Sequence, residues 1–177
     1  MTGKTSIPTL TTSRLTLRPF KLTDDVRLHS ILNEPNILQY FPRPDAPDMK
    51  RVQEMVERQL AHWEEHNLGW WAVVPHRETE LVGWNGLQYL PETDEVEVGY
   101  LLSKQVWGRG YATEGAKASL KFGFETLAQE QIIGLTHPEN TASQNVLTKC
   151  GMRYSEQKEY FGMQLFRYAL VNPAREP

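Results

Sequence analysis

The chain has one cysteine, Cys150, in 177 residues, so an internal disulfide and a cysteine-ligated zinc site are both excluded. Cys150 ends a helical pattern just before Gly151, where a small buried thiol is ordinary, and it is expected to be structural rather than nucleophilic. No run of about 18 apolar residues exists, and Met1 to Leu10 has no apolar signal core. Basic residues are not in excess either. Nineteen Lys and Arg against 22 Asp and Glu leave a net charge of -3, which argues against the basic face that nucleic acid requires. Five histidines are scattered, and His62 with His66, one helical turn apart, lack a third ligand nearby. The chain therefore reads as cytoplasmic, with no metal, no nucleic acid and no membrane expected.

Low-complexity segments and internal repeats are also missing. The length suits a single domain, 1–177, by the usual prior of about 100–200 residues. A hydrophobic content of 40% with 23% charged residues fits a globular protein.

Along the chain, Arg14 to Pro19 alternates as a half-buried strand. Thr23-Asp24-Asp25 supplies an N-cap and acidic first turn for a helix expected to bury Val26, Leu28, Ile31 and Leu32 and to stop near Pro35. Prolines between Pro42 and Pro47 enforce an irregular stretch. A helix from Asp48 to Glu65 places Val52, Met55, Val56, Leu60 and Trp63 on one stripe. From Gly69 the period becomes that of strands: Trp70–Val74, Leu81–Leu90 and Glu95–Leu102, with short connections that imply antiparallel neighbours. Ala112, Ala116, Leu120, Phe124 and Leu127 mark the next helix, and Gln131–Thr136 the next strand, so this strand, helix and strand form a parallel crossover. A short helix, Thr141–Cys150, and strands Met152–Tyr160 and Gln164–Val171 complete a mixed α/β fold, a mostly antiparallel sheet flanked by helices.

The densest signal is Trp107-Gly108-Arg109-Gly110-Tyr111-Ala112-Thr113-Glu114, a glycine-rich loop between a strand and a helix. Such a loop aims several backbone amides at one point beside a positive helix end, which suits an anion. It is not a dinucleotide fingerprint, because Thr113 stands where Gly or Ala is needed, and it is not a nucleotide P-loop, because Ala116-Lys117 stands in place of Lys-Ser/Thr. It does match Gln/Arg-x-x-Gly-x-Gly/Ala, in one register from Gln105 and in another with Trp107 in the first place, followed by Gly110 and Ala112. That loop resembles the acyl-CoA loop of the GNAT superfamily of N-acyltransferases. Together with Glu97-Val98-Gly99-Tyr100, the second register is similar to the ribosomal-protein alanine acetyltransferase branch, where Trp often takes that place. Pro138-Glu139-Asn140-Thr141-Ala142-Ser143, Val146-Leu147 and Lys149-Cys150-Gly151-Met152 resemble a further segment of the branch, as does Arg14-Leu15-x-Leu17-Arg18-Pro19. The resemblance spans roughly residues 13–170, the expected domain core.

The resemblance implies a GNAT-like fold and an acetyl-CoA-dependent N-acetyltransferase acting by direct transfer in a ternary complex. Its acceptor would be a primary amine, either a protein N-terminus, as in the ribosomal branch, or a small molecule; a non-catalytic acyl-CoA sensor is the reading from another class. A homodimer is left open. Cofactor contacts are expected from the loop residues Trp107, Gly108, Arg109, Gly110, Tyr111, Ala112 and Thr113, from backbone amides near Leu101 and Leu102, and from Asn140 and Ser143. Glu97 is the candidate base, its pKa raised by partial burial, with Glu95 assigned to the opposite-facing or more distal part of the acidic run. Many members of the superfamily carry a Tyr acid where Leu147 stands, so protonation of the departing thiolate falls to Ser143 or water. Tyr40, Phe41, Trp70, Trp71 and Trp84 are candidates for an acceptor pocket, and substrate choice is expected from Asn33 to Asp48 and the loops around Trp84 and Tyr160.

Overall fold

The computed structural model describes residues 6–175. Residues 1–5 and 176–177, the margins of the expected single domain and half of the Met1–Leu10 stretch, lie outside the described residues. In chain order the elements are β1 (Leu10–Thr11), β2 (Leu15–Arg18), α1 (Asp25–Leu32), α2 (Met49–His66), β3 (Trp70–Pro75), β4 (Gly83–Leu90), β5 (Glu95–Leu102), α3 (Tyr111–Glu125), β6 (Gln131–Thr136), α4 (Thr141–Lys149), β7 (Arg153–Tyr160) and β8 (Met163–Val171). They form one sheet in the order β1-β2-β3-β4-β5-β6-β8-β7. Every neighbouring pair is antiparallel except β5 with β6, which α3 connects as the parallel crossover. This is the mixed α/β fold expected from the sequence.

Several local expectations change. Val26 is 66% exposed rather than buried, because Leu28, Ile31 and Leu32 define the inner stripe of α1 and Val26, two residues before Leu28, falls on the far side. A 3-10 turn, Leu22–Asp24, precedes that helix. Asp24 does not cap it with its side chain. Its carboxylate instead accepts both terminal nitrogens of Arg18, at 2.7 and 2.8 Å, and the Lys21 amide at 2.7 Å. In α2 the capping residue is Asp48, which accepts the Arg51 amide, while Met55 and Leu60 are only half-buried. Leu81 and Val82 are buried but precede β4.

Register determines what each face of the sheet carries. Glu97 pairs with Gln88, Gly99 with Gly86 and Leu101 with Trp84, while Trp70 pairs with Gly86. These residues share one face, which packs under Leu28, Ile31 and Leu32 of α1 and Val52 and Val56 of α2. The opposite face presents Val96, Val98 and Leu102 to Ala116 and Leu120 of α3 and Leu147 of α4. Alternation along β5 thus sends consecutive side chains to two different compartments.

Candidate active site

The two compartments communicate where β5 and β6 part. Their pairing is confined to Glu97 with Ile133. Beyond it, Val98 to Leu102 and Leu135 to His137 line the two sides of one cavity of about 830 Å³, within the size range of ligand pockets. The Ser103 amide bonds Val82 O in the β4 pairing, so the odd-numbered residues of β5 direct their backbone groups to β4 and the even-numbered ones direct theirs to the opening. Of the two amides expected there, that of Leu102 faces the opening and that of Leu101 belongs to the β4 ladder. Leu101 instead contributes a buried side chain to the face under α1 and α2.

At one end of the cavity lies the glycine loop. Gly108 and Gly110 have φ of +74° and +79°, left-handed values that glycine adopts without steric cost. Gly110 caps α3, whose first amides have no partner within the helix. Gly108, Gly110, Tyr111, Ala112 and Thr113 all line the cavity; Arg109 does not. The Arg109 carbonyl accepts Nη1 of Arg14 at 2.8 Å. Arg14 also binds Glu114 at 2.6 Å and lies 4.9 Å from the centre of the Tyr111 ring. This brace is the structural role of the opening Arg14 motif, and sequence reading had not linked it to the loop. Trp107 is likewise a tie: its amide bonds the Lys104 carbonyl and its indole N–H donates to Leu102 O at 2.7 Å.

Glu97 sits where the strands part and lines the cavity. Burial pushes its carboxyl up to about 8, partly countered by the Leu135 amide and reinforced by the charge of Glu95. Glu95 is neither opposite-facing nor free. Two residues away on the same strand, it shares the face of Glu97, accepts both Nε and Nη2 of Arg167 at 3.0 and 2.7 Å, and accepts Tyr160 Oη at 2.8 Å. Burial raises its pKa, but hydrogen bonds from Arg167, Tyr160 and Thr93 outweigh that and hold it below the ordinary value.

Asn140 caps α4, its Oδ1 accepting the Ser143 amide at 3.1 Å, and both residues line the cavity. Ser143 Oγ lies 2.9 Å from Tyr100 Oη. Burial drives the Tyr100 hydroxyl far above its usual pKa, although the Ser143 hydrogen bond opposes this, so it stays protonated. Sequence reading missed Tyr100. Its position in Val-Gly-Tyr, even-numbered on β5, was the available signal. Leu147 is 1% exposed and packs over Gly134, where any added Cβ would meet it at 2.6 Å. Cys150 is buried, with Sγ 3.8 Å from Thr113 O, and burial pushes its thiol up to about 11. It is not activated as a nucleophile.

The other end of the cavity is aromatic. Trp70 and Trp84 stack at 3.7 Å with 9° between their planes, Phe41 meets Trp84 edge-on at 6.4 Å, and Tyr40 stacks on His137 at 5.2 Å. Trp71 does not belong with them. It is fully buried on the opposite face, and its indole N–H donates to Pro8 O. Trp84 lies within β4 rather than in a loop, and Phe161, next to Tyr160, reaches the cavity instead of it. Glu34 anchors the arm carrying Tyr40 and Phe41 by accepting Ser103 Oγ at 2.6 Å and the Lys104 amide at 2.8 Å.

Comparison with known proteins agrees with this architecture. Residues 14–153 match the acetyltransferase (GNAT) domain family. The FsC-acetyl coenzyme A-N(2)-transacetylase of Aspergillus fumigatus is 32% identical over 159 residues, which cover 84% of this chain and 66% of that longer protein. An acetyltransferase from Agrobacterium tumefaciens superposes with a TM-score of 0.83 at 28% identity, over 93% of this chain and 95% of that one. RimL, an alpha-N-protein acetyltransferase of a ribosomal protein solved with coenzyme A, shares the fold with a TM-score of 0.80 at 17% identity, over 95% of this chain and 98% of that one. With a glycine loop at one end of a parted sheet and a family match across most of its length, this chain belongs to the GNAT acetyltransferases and is an acetyl-CoA-dependent N-acetyltransferase.

Proposed function

We propose that this enzyme acetylates a primary amine by direct transfer in a ternary complex, with the two substrates meeting through the parted β5 and β6. The features around the opening fit acetyl-CoA. Amides from Gly108 to Thr113 suit its pyrophosphate, and the Val98 carbonyl and the outward backbone groups of Tyr100, beyond the Glu97–Ile133 pairing, suit the pantetheine amides as an added strand would. The Leu102 amide suits the thioester oxygen as negative charge develops on it. Asn140 Nδ2 remains available to the pantetheine, since only its Oδ1 is used in capping.

Glu97 is the proton acceptor in this reading, directly or through one water. The observation that carries it is its position: a carboxylate on the face opposite Tyr100 and Ser143, at the point where the sheet opens, with a pKa lifted to about 8. A carboxylate in that range takes a proton from an ammonium far more readily than one at its ordinary value. Ser143 donates a hydrogen bond to the departing thiolate; Tyr100, held protonated, has both Ser143 Oγ at 2.9 Å and the Ser143 carbonyl at 3.2 Å within reach, and when it donates to Oγ the serine proton is free to point at sulfur. A thiol with a pKa of about 8.5 needs only modest help to leave.

Two classes of acceptor are supported: a protein N-terminus by resemblance to the ribosomal branch, and a small-molecule amine by the enclosed aromatic end of the cavity; the FsC transacetylase is named for transfer to an N(2) nitrogen of FsC. The aromatic end under the Glu34-anchored arm suits a single side-chain-sized body. We place the enzyme in the cytoplasm, where acetyl-CoA is available; no helix among the described residues is long and apolar enough to cross a membrane. The test is a library of amines and peptides assayed for acetyl-CoA-dependent thiol release. Turnover of at least one amine, lost in Glu97→Gln, is expected. Tight acetyl-CoA binding with no turnover of any amine would mark an acyl-CoA sensor instead.

A further inference from the structure

The acceptor end has a composition that the transfer chemistry alone does not require. Its floor is the stacked pair Trp70 and Trp84, seated on Gly99, where a Cβ would come within 3.3 Å of the Trp84 ring. Trp84 is 4% exposed and Trp70 is half-buried, so Trp70 is the accessible plate and Trp84 its backing. Neither indole N–H has a hydrogen-bond partner among the described residues. A buried donor left unpaired costs about 1–3 kcal/mol, a cost that a stack serving only as core filling need not carry.

Charge at this end is of one sign. Among the described residues, the charged ones lining the cavity are Glu97, Glu139 and Lys149, with His137 as the one imidazole. Lys149 belongs to the cofactor end, because its neighbour Cys150 touches Thr113 of the glycine loop. Among the described residues, no lysine or arginine side chain therefore lines the aromatic end, and the carboxylate nearest the stack is Glu97, two residues from Gly99 on the same face.

We propose that the acceptor is a primary amine carried on a flat aromatic body, with no carboxylate beside the amine: an arylalkylamine rather than an amino acid, a polyamine or a peptide N-terminus. The proposal rests on Glu97 being the proton acceptor. Trp70 covers the ring by stacking, and the aromatic faces attract the ammonium on its way to Glu97. Above about pH 8, where Glu97 is ionised, an α-carboxylate in the same pose would meet it with no cation to pair with among the described residues, and such like-charge juxtaposition is a strong discriminator.

The test uses the full chain with acetyl-CoA above pH 8, where Glu97 is ionised, and follows thiol release with tryptamine, tryptophan, butylamine, spermidine and short peptides beginning with Ala or Ser. Tryptamine is expected to exceed tryptophan by about 100-fold or more in kcat/KM and butylamine by about tenfold or more, on the scale of one like-charge contact and one stacking contact. Trp70→Leu should bring the tryptamine-to-butylamine ratio close to one while the KM for acetyl-CoA stays unchanged; if that variant fails to fold, Phe41→Leu should narrow the same ratio. Equal use of tryptophan and tryptamine, or preference for spermidine or a peptide, would overturn the proposal and leave acetyl transfer standing. Absence of thiol release with every amine, in a protein that binds acetyl-CoA, would overturn both.

Discussion

The two ends of the cavity are built from different materials. The end proposed for the cofactor is made of backbone: amides at the start of α3, two glycines at positive φ, and the outward edge of β5. The end proposed for the acceptor is made of side chains drawn from four segments: Tyr40 with Phe41, Trp70 on β3, Trp84 on β4 and Glu97 on β5. A backbone site tolerates most side-chain changes and fails when conformation fails. A side-chain site keeps its fold through most substitutions and loses or changes its chemistry. Mutation should therefore separate the two ends by kind of damage as well as by size.

The largest effect is expected at the backbone end. Gly110→Glu forces a side chain into φ +79° and sets a carboxylate facing the pyrophosphate, although Arg14 Nη2 lies only 3.4 Å from the new Cβ and offsets part of that charge. Calorimetry should show acetyl-CoA affinity falling by about 100-fold or more, the scale of a strained backbone combined with an unfavourable charge. Gly110→Ala, which keeps the strain without the charge, should lose less. Undiminished binding in a folded Gly110→Glu protein would remove the loop from the cofactor site.

Next is Glu97, the proposed proton acceptor, at the side-chain end. Glu97→Gln should lower kcat by about 10²-fold or more at neutral pH while leaving acetyl-CoA affinity intact. In the parent, kcat/KM should rise with pH through an inflection near 8, the value to which burial lifts Glu97. The variant should lack that inflection and recover as free amine accumulates at higher pH. Silence of Glu97→Gln would mean that acceptor and thioester meet elsewhere.

Where the two ends meet, the effect should be smaller. Ser143→Ala should slow thiol release by about ten- to a thousandfold, and Tyr100→Phe by less, because it removes only the donor that orients the serine. Single-turnover rates against the pKa of a series of thiol leaving groups would separate them: Ser143→Ala should steepen that dependence. An unchanged slope and rate would assign protonation to water.

This contrast also explains what was legible in the sequence. The glycine loop was readable because a backbone site needs particular residues at fixed spacing in one short stretch, and Gly108, Gly110 and Ala112 meet that need locally. The order of strands and helices followed from periodicity, and so did the crossover. Glu97 was singled out because it lies on the strand that resembles the family's and faces away from Val96 and Val98, and it lines the cavity. Trp84 and Trp71 were not separable, because both occur in apolar strands and only the register of β3 against β4 sends them to opposite faces. Tyr100 was missed because its partner Ser143 lies 43 residues away. The role of Glu95 was hidden for the same reason, since Arg167 is 72 residues distant.

The smallest effect concerns stability and contrasts the two carboxylates on one face of β5. Glu97 has a folded pKa raised above its unfolded value, so between roughly 4.3 and about 8 the native state holds a proton that the unfolded chain has released. Stability attributable to Glu97 is thus complete below the unfolded pKa and is lost as pH rises through the folded one. Glu95 has the opposite sign: its folded pKa is depressed, so its contribution is present above the unfolded value and is lost as pH falls through the folded one. Glu97→Gln should raise Tm at pH 8 and change it little at pH 5. Glu95→Gln should lower Tm at pH 7 by stranding Arg167, with the deficit shrinking in acid. Each change is expected to be about 1–3 kcal/mol, or about 2–4 °C per kcal/mol for a chain of this size. Thermal unfolding of both variants from pH 4 to 9 measures the two slopes. Slopes of the same sign would show that burial, and not the Arg167 pair, decides the ionisation of both carboxylates.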